Sequence, residues 1–288
     1  MINVCINQPQ KYLNLKKNTV KIKLIIILFF AFGLMFSQSK KDIYDKFLNN
    51  GAYKYSYYHP KFQQYLDSAL VYLPEDSFLW QQKAMPFFKR KKYEVGMAYI
   101  DKAVQYDDKF KHYLAYRGFI KCIFQKSYNE AIKDFDILIN DYDKGVIMDH
   151  SYYFYKSICL LQLNKLNEAE QCLKKSFQQS ENRKVDLHYL ELFYMGIIYY
   201  EKEEYEKAIS EFDECLQQYP QFSDALFYKA ESYYYLHENE KAIPLFLLSE
   251  ENLSKGYTIN EDNVFYEEYP YQLKKWMIEN YKQKLQIK

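Results

Sequence analysis

Glycine and proline are both scarce, at 7 each in 288 residues, too few for a turn-rich β protein of many strands. The five cysteines contain no CxxC pair, which disfavours a zinc ribbon or a thioredoxin-like redox site. No glycine-rich phosphate loop occurs. NDYDKG at 140–145 hints at a calcium loop. Its glycine comes one residue early for an EF-hand, however, and Tyr152 stands where the closing glutamate belongs. His59, His112, His150, His188 and His237 are scattered, and none makes a paired ligand motif with another His or Cys. Catalysis needs a nucleophile, a base and an electrophile stabiliser at one place. No such set is found, so no catalytic residue, cofactor or metal is expected, and the chain reads as a non-enzyme.

What is present is apolar and aromatic. Hydrophobic residues make up 49% and the net charge is +1, so the chain can bury a sizeable core and is not expected to be disordered. Aromatics reach 19%, mostly as 33 Tyr and 21 Phe. Acidic residues are missing from the first 37 positions, which carry Lys11, Lys16, Lys17, Lys21 and Lys23 ahead of the apolar run Leu24–Phe36. Basic flank, short apolar stretch and small polar patch form the layout of a secretory signal. The run is shorter than the ~20 residues a membrane-spanning helix needs, and no cysteine follows it to carry a lipid. Residues 1–37 are therefore expected to be a signal peptide, with an uncleaved anchor as the alternative. Without them five lysines and no acids are lost, and the net charge falls from +1 to −4. A mildly acidic body argues against nucleic acid as a partner.

The body is periodic. Leu192 and Leu226, Gly196 and Ala230, Tyr199 and Tyr233, Ala208 and Ala242, and Phe212 and Phe246 are each 34 residues apart. The skeleton recurs upstream through Trp80, Ala84, Phe87, Gly96, Ile100 and Ala103. It recurs again through Leu114, Gly118, Ala131, Phe135 and Leu138, and through Tyr153, Ser157, Leu160, Ala169, Leu173 and Ser176. Small residues twelve apart mark four of the five copies. In the other, Gly118 and Ala131 are thirteen apart, which predicts one extra residue in that inter-helix turn. The third-to-fourth junction is five residues over the period, which places a loop around Gln179–Val185. Apolar residues at three- and four-residue steps form one stripe per helix, and a hairpin with two such stripes must stack on the next. Pro74 and Pro220 sit where second helices should stop, whereas Pro86 and Pro244 lie inside predicted helices and should bend them.

This period and residue pattern resembles the tetratricopeptide repeat family over roughly Glu75 to Glu251. The resemblance implies an all-α fold, a right-handed α-solenoid of stacked antiparallel helix hairpins. The expected layout is a helix pair or cap at 38–74, five repeats at 75–256, and a loop and capping helix at 257–288. Within that layout, Ile43–Tyr57 and Phe62–Leu73 read as helices, Lys255–Tyr269 as a loop, and Tyr271–Leu285 as an amphipathic helix with Trp276 on its apolar side.

In that family the first helices line a concave groove that takes peptide segments. Projecting them here gives the candidate lining Phe78, Met85, Phe88, Phe119, Phe154, Ile158, Phe193, Ile197, Tyr200, Phe227 and Tyr234; the other reading of these aromatics is packing between successive repeats. Gln81 and Met85 stand where the family's two-carboxylate clamp would have Lys and Asn, which disfavours chaperone-tail binding. Cys159 and Cys172, on the two helices of one hairpin, are the plausible disulfide pair in an exported chain. The expectation is a non-catalytic protein-interaction scaffold in the periplasm or outer envelope, binding an unidentified protein or peptide and touching the membrane only through its N-terminal segment. The alternative is a structural subunit of an envelope assembly.

Overall fold

The computed structural model describes residues 39–107 and 111–286. The expected signal peptide, 1–37, lies outside them. No helix among the described residues is long and apolar enough to cross a membrane. The chain divides between Pro74 and Glu75 into two compact units.

In the first unit, α1 (Lys40–Tyr44) opens with a reciprocal cap between Ser39 and Asp42. It passes into a π turn (Asp45–Asn49) and then a 3-10 turn (Ala52–Lys54). The continuous helix expected over Ile43–Tyr57 is therefore broken, and Gly51 marks the break. A Cβ there would lie 2.4 Å from the Phe47 carbonyl and 2.6 Å from the Tyr65 ring. The second helix, α2 (Pro60–Tyr72), starts on the fixed φ of Pro60 and buries Phe62, Leu66, Ala69 and Leu70.

The second unit is five antiparallel hairpins: α3 (Ser77–Phe88) with α4 (Tyr93–Gln105), α5 (His112–Phe119) with α6 (Tyr128–Asp141), α7 (Tyr152–Gln162) with α8 (Leu166–Arg183), α9 (Tyr189–Glu201) with α10 (Tyr205–Gln218), and α11 (Ser223–Tyr235) with α12 (Asn239–Ser254). A final helix, α13 (Lys275–Lys284), follows. The small residues do what their spacing implies. A Cβ on Gly196 would come within 2.4 Å of the Phe212 ring, and one on Gly96 within 2.4 Å of the Phe88 ring. The Ser157 hydroxyl donates to the Ala169 carbonyl at 2.8 Å, tying the two small positions of the third copy together. Pro86 and Pro244 both sit inside continuous helices.

Each hairpin turns on one left-handed residue: Lys91, Lys126, Asn164, Glu203 and His237, with φ from 57° to 60°. The next backbone N–H closes the turn onto a carbonyl of the preceding helix, as from Glu204 to Tyr199 and from Glu238 to Tyr233, each at 2.9 Å. This helix-ending geometry satisfies carbonyls that would otherwise be orphaned. The left-handed residue follows the first small residue by eight positions in the second hairpin and by seven in the others. It precedes the second small residue by five in all of them. The extra residue expected in that turn is therefore inside the first helix, where Ile120–Phe124 forms a π turn. A π turn absorbs an inserted residue without changing either end of the hairpin.

Three further expectations are corrected. The five surplus residues after the third hairpin lengthen a helix: α8 continues to Arg183, with Gln179 buried and bonded to the Asp143 carbonyl, and ends on left-handed Lys184. A two-residue antiparallel bridge pairs Val146 with Ser151 and Ile147 with His150 ahead of α7. Trp276 is 65% exposed, while Ile278 and Tyr281 carry the buried side of α13. Leu273 is buried in the segment before the helix, and the extended Lys274 stands at the helix start, so the helix begins four residues later than expected.

Candidate functional site

The groove residues chosen from the sequence divide by burial. Phe88, Phe119, Phe154, Ile158, Phe193, Ile197 and Phe227 are buried, and Phe78, Met85, Tyr200 and Tyr234 are partly so. The buried rings are packing elements. Phe193 meets Phe212, Phe222 and Tyr228, and Phe154 meets Tyr194 and His150. They are core and present no open surface. The reason is angular, since neighbouring positions on a helix differ by about 100°. The residues one step on, Tyr155, Tyr194 and Tyr228, face the concave side.

That side is filled by the chain itself. From Tyr257 the C-terminal segment runs back across the hairpins. Its outward limb passes the starts of the first helices. Ser223 N–H donates to the Tyr257 carbonyl (2.9 Å), the Thr258 hydroxyl donates to Asp224 (2.8 Å), and Asn260 N–H donates to the Tyr189 hydroxyl (3.1 Å). Glu261 then lies 3.6 Å from His150. The tip reaches the first two hairpin turns, where the Lys89 ammonium sits 3.8 Å over the Tyr266 ring. Glu267 is held there by Lys91 and Lys126, each at 3.3 Å, and by the Tyr93 hydroxyl. Burial works against the Glu267 charge, but these three donors outweigh it and lower its pKa. The return limb crosses the tyrosine row. The Tyr194 hydroxyl donates to the Pro270 carbonyl (2.8 Å), Tyr271 meets Tyr228 edge-on, and Leu273 N–H donates to Asp224 (2.8 Å). Beyond it, Tyr281 of α13 packs on Phe227, Tyr234 and Phe246.

Asp224 thus grips both limbs at their base. Burial pushes its carboxyl up to about 6, even though the Leu273 N–H and the hydroxyls of Thr258 and Ser223 favour the charge. Glu231, about two turns along the same helix, is pushed up to about 7 by burial against the pull of Tyr281 and Tyr200. Parts of the segment are packed into the core: Ile259, Tyr269 and Leu273 are buried. Burying Ile259 and Leu273 contributes about 1.5–3 kcal/mol each.

The structure also gathers residues that looked scattered. His150, on the bridge before α7, is 1% exposed and lies between Glu191 and Glu261. Burial disfavours its charge, but the two carboxylates raise its pKa overall. His188, exposed at the start of α9, presents its ring edge-on to His150. Cys122, Cys159, Cys172 and Cys215 are free. Cys159 interacts with Cys122 of the neighbouring hairpin, and burial pushes its thiol far up; the Cys159–Cys172 bridge is not formed.

The tyrosine row carries a sequence signal. Tyr116, Tyr155, Tyr194 and Tyr228 repeat at the same offsets as Ala115, Phe154, Phe193 and Phe227, one position on. The occupant carries none, because residues 257–274 follow neither the repeat nor a helical period.

Residues 189–222 match the tetratricopeptide repeat family model, the span from the first residue of α9 to the residue before α11. None of the curated proteins searched matches the sequence. Among solved structures, PilF of Pseudomonas aeruginosa is similar at 18% identity and a TM-score of 0.58, over 76% of this chain and 95% of that one. MamA from Desulfovibrio magneticus is similar at 14% identity and a TM-score of 0.52, over 62% of this chain and 96% of that one. At such identities the likeness is one of fold. Residues 189–222 thus match one tetratricopeptide repeat, set within five stacked hairpins whose fold is similar to that of these neighbours.

Proposed function

We propose that the chain is a non-catalytic protein-interaction scaffold, exported to the bacterial envelope, whose concave groove recognises an extended segment and is held closed by its own residues 257–274. The observation that carries this reading is the way the segment is held. Four of its main-chain groups, Tyr257 C=O, Asn260 N–H, Pro270 C=O and Leu273 N–H, are bonded by groups from the first helices. Main-chain bonds give affinity for any extended peptide, and side-chain contacts select the sequence. Here those contacts grip a carboxylate at one end (Glu267) and a Tyr-Pro pair in the middle (Tyr269, Pro270). A partner of matching chemistry, an acidic residue followed closely by an aromatic and a proline, competes with the internal segment for the same groove.

A labelled peptide carrying residues 257–274 tests this. It should bind saturably to a chain whose residues 258–272 are replaced by a glycine-serine linker, and a Glu267→Lys peptide should bind at least about tenfold more weakly, since it reverses the charge facing Lys91 and Lys126. The intact chain should bind little, and Glu267→Lys in the intact chain, which loosens only the internal segment, should raise uptake. A linker variant that keeps its helical circular dichroism yet ignores the peptide rules the reading out. Export rests on the lysines and apolar run of residues 1–37 and is tested by secretion of a reporter fused after Gln38.

A further inference from the structure

His150 presents a problem of satisfaction. It is buried, yet neither ring nitrogen has a hydrogen-bond partner among the described residues, and Oε2 of Glu191 is also without one. Nδ1 lies 3.6 Å from Glu191 Oε1, and Nε2 lies 3.6 Å from Glu261 Oε1. Both separations exceed the 2.7–3.2 Å of a normal hydrogen bond. One donor atom from each of His150, His188 and Glu261 falls within 4.8 Å of the others.

We propose that His150, His188 and Glu261 form a site for a divalent transition metal, zinc before others, that pins the C-terminal segment to the third and fourth hairpins, with Glu191 orienting His150. Two imidazoles and one carboxylate are a ligand set that zinc uses with a further position left open. Two imidazoles also argue against calcium or magnesium, which take oxygen ligands. The spacing fits. Ligands about 2.0–2.1 Å from one tetrahedral ion stand roughly 3.4 Å apart, close to the His150 Nε2–Glu261 separation. Glu191 on the other nitrogen completes the carboxylate–histidine–metal arrangement. It keeps the proton on Nδ1 and leaves the Nε2 lone pair free. His188 lies at the exposed rim and gives the ion a route in. Because Glu261 belongs to the internal segment and both histidines belong to the hairpins, the ion closes the groove whatever partner the groove takes.

The test uses the full chain, freed of metal by a chelator. Calorimetric titration with Zn²⁺ should show a single equivalent bound, and Co²⁺ should give the intense visible absorption of a four-coordinate ion. Glu261→Gln and His188→Ala, changed at the half-buried and exposed ligands, should each weaken binding at least about tenfold while helical content is retained. Glu191→Gln should weaken it about tenfold or more through His150. His59→Gln, a histidine of the other unit, should leave it unchanged. Bound zinc should also slow proteolysis within 257–274. The proposal is overturned if the chain binds no ion, if Glu261→Gln and His188→Ala bind as the parent does, or if imidazole NMR finds His150 doubly protonated in the presence of saturating zinc.

Discussion

The backbone N–H of Leu273 donates to Oδ1 of Asp224 at 2.8 Å, while Oδ2 of the same carboxylate takes the Thr258 hydroxyl, also at 2.8 Å. One buried side chain on α11 therefore clasps the outgoing and returning limbs of the C-terminal segment. Its chemistry governs how tightly that segment is held.

That clasp predicts a pH dependence. The carboxyl pKa of Asp224 is raised from 3.8 to about 6 and that of Glu231 from 4.5 to about 7, both mainly by burial. A raised carboxyl binds its proton more tightly folded than unfolded, so its stabilisation is full below the unfolded pKa and is lost as pH rises through the folded one. Between about pH 4.5 and 7 the thermal midpoint should fall as pH rises. At about 1.4 kcal/mol per unit, the Asp224 contribution is on the order of 3 kcal/mol. Asp224→Asn keeps an acceptor for Leu273 N–H, and it should flatten the slope between pH 4 and 6. An unchanged slope in that variant would remove Asp224 from the account. Glu267, whose pKa is lowered, acts in the opposite sense and only below its unfolded value near 4.5.

Tyr194→Phe deletes the hydroxyl that donates to the Pro270 carbonyl. Leaving a buried acceptor unpaired costs about 1–3 kcal/mol. The effect should be local, so hydrogen exchange and protease cutting within 257–274 should quicken more than global unfolding does. Phe265, 86% exposed near the tip, is the control. Phe265→Ser should change stability by less than about 0.5 kcal/mol.

Gly196→Ala places a methyl group within 2.4 Å of the Phe212 ring. Overpacking of this kind costs about 1–3 kcal/mol, to be read as a lower urea midpoint. Adding Phe212→Leu should recover part of the loss, because the clash is with that ring.

Phe154→Ala, Phe193→Ala and Phe227→Ala should act on stability, since all three rings are buried. A Phe-to-Ala cavity costs about 3–5 kcal/mol. Denaturant melts should show that loss for each. A variant that kept its full stability but lost a partner would return the ring to the groove surface.

The 34-residue recurrence from Leu192 to Phe246, the small residues at Gly196 and Ala208 and the stripe of each helix were enough to place five hairpins, because burying a helix against its neighbours leaves a periodic trace in the chain. The same logic does not separate adjacent aromatic positions. Phe193 and Tyr194 are both large and aromatic, both recur with the repeat, and hydrophobicity does not say which of two adjacent rings faces the core. The π turn at Ile120–Phe124 and the long α8 were hidden similarly. An inserted residue can be absorbed in a helix or in a turn, and spacing counts it equally in either.

Local pattern is short-range physics, and it decided the hairpins, their turns and their order. The docking of the C-terminal segment depends on residues far apart in sequence: Tyr93 with Glu267, Tyr194 with Pro270, Asp224 with Leu273, and His150 with Glu261. Those pairings leave no period to read, because 257–274 is shaped by the surface it lies on. Only the stacked hairpins bring their partners within reach, so they could be known only from the folded chain.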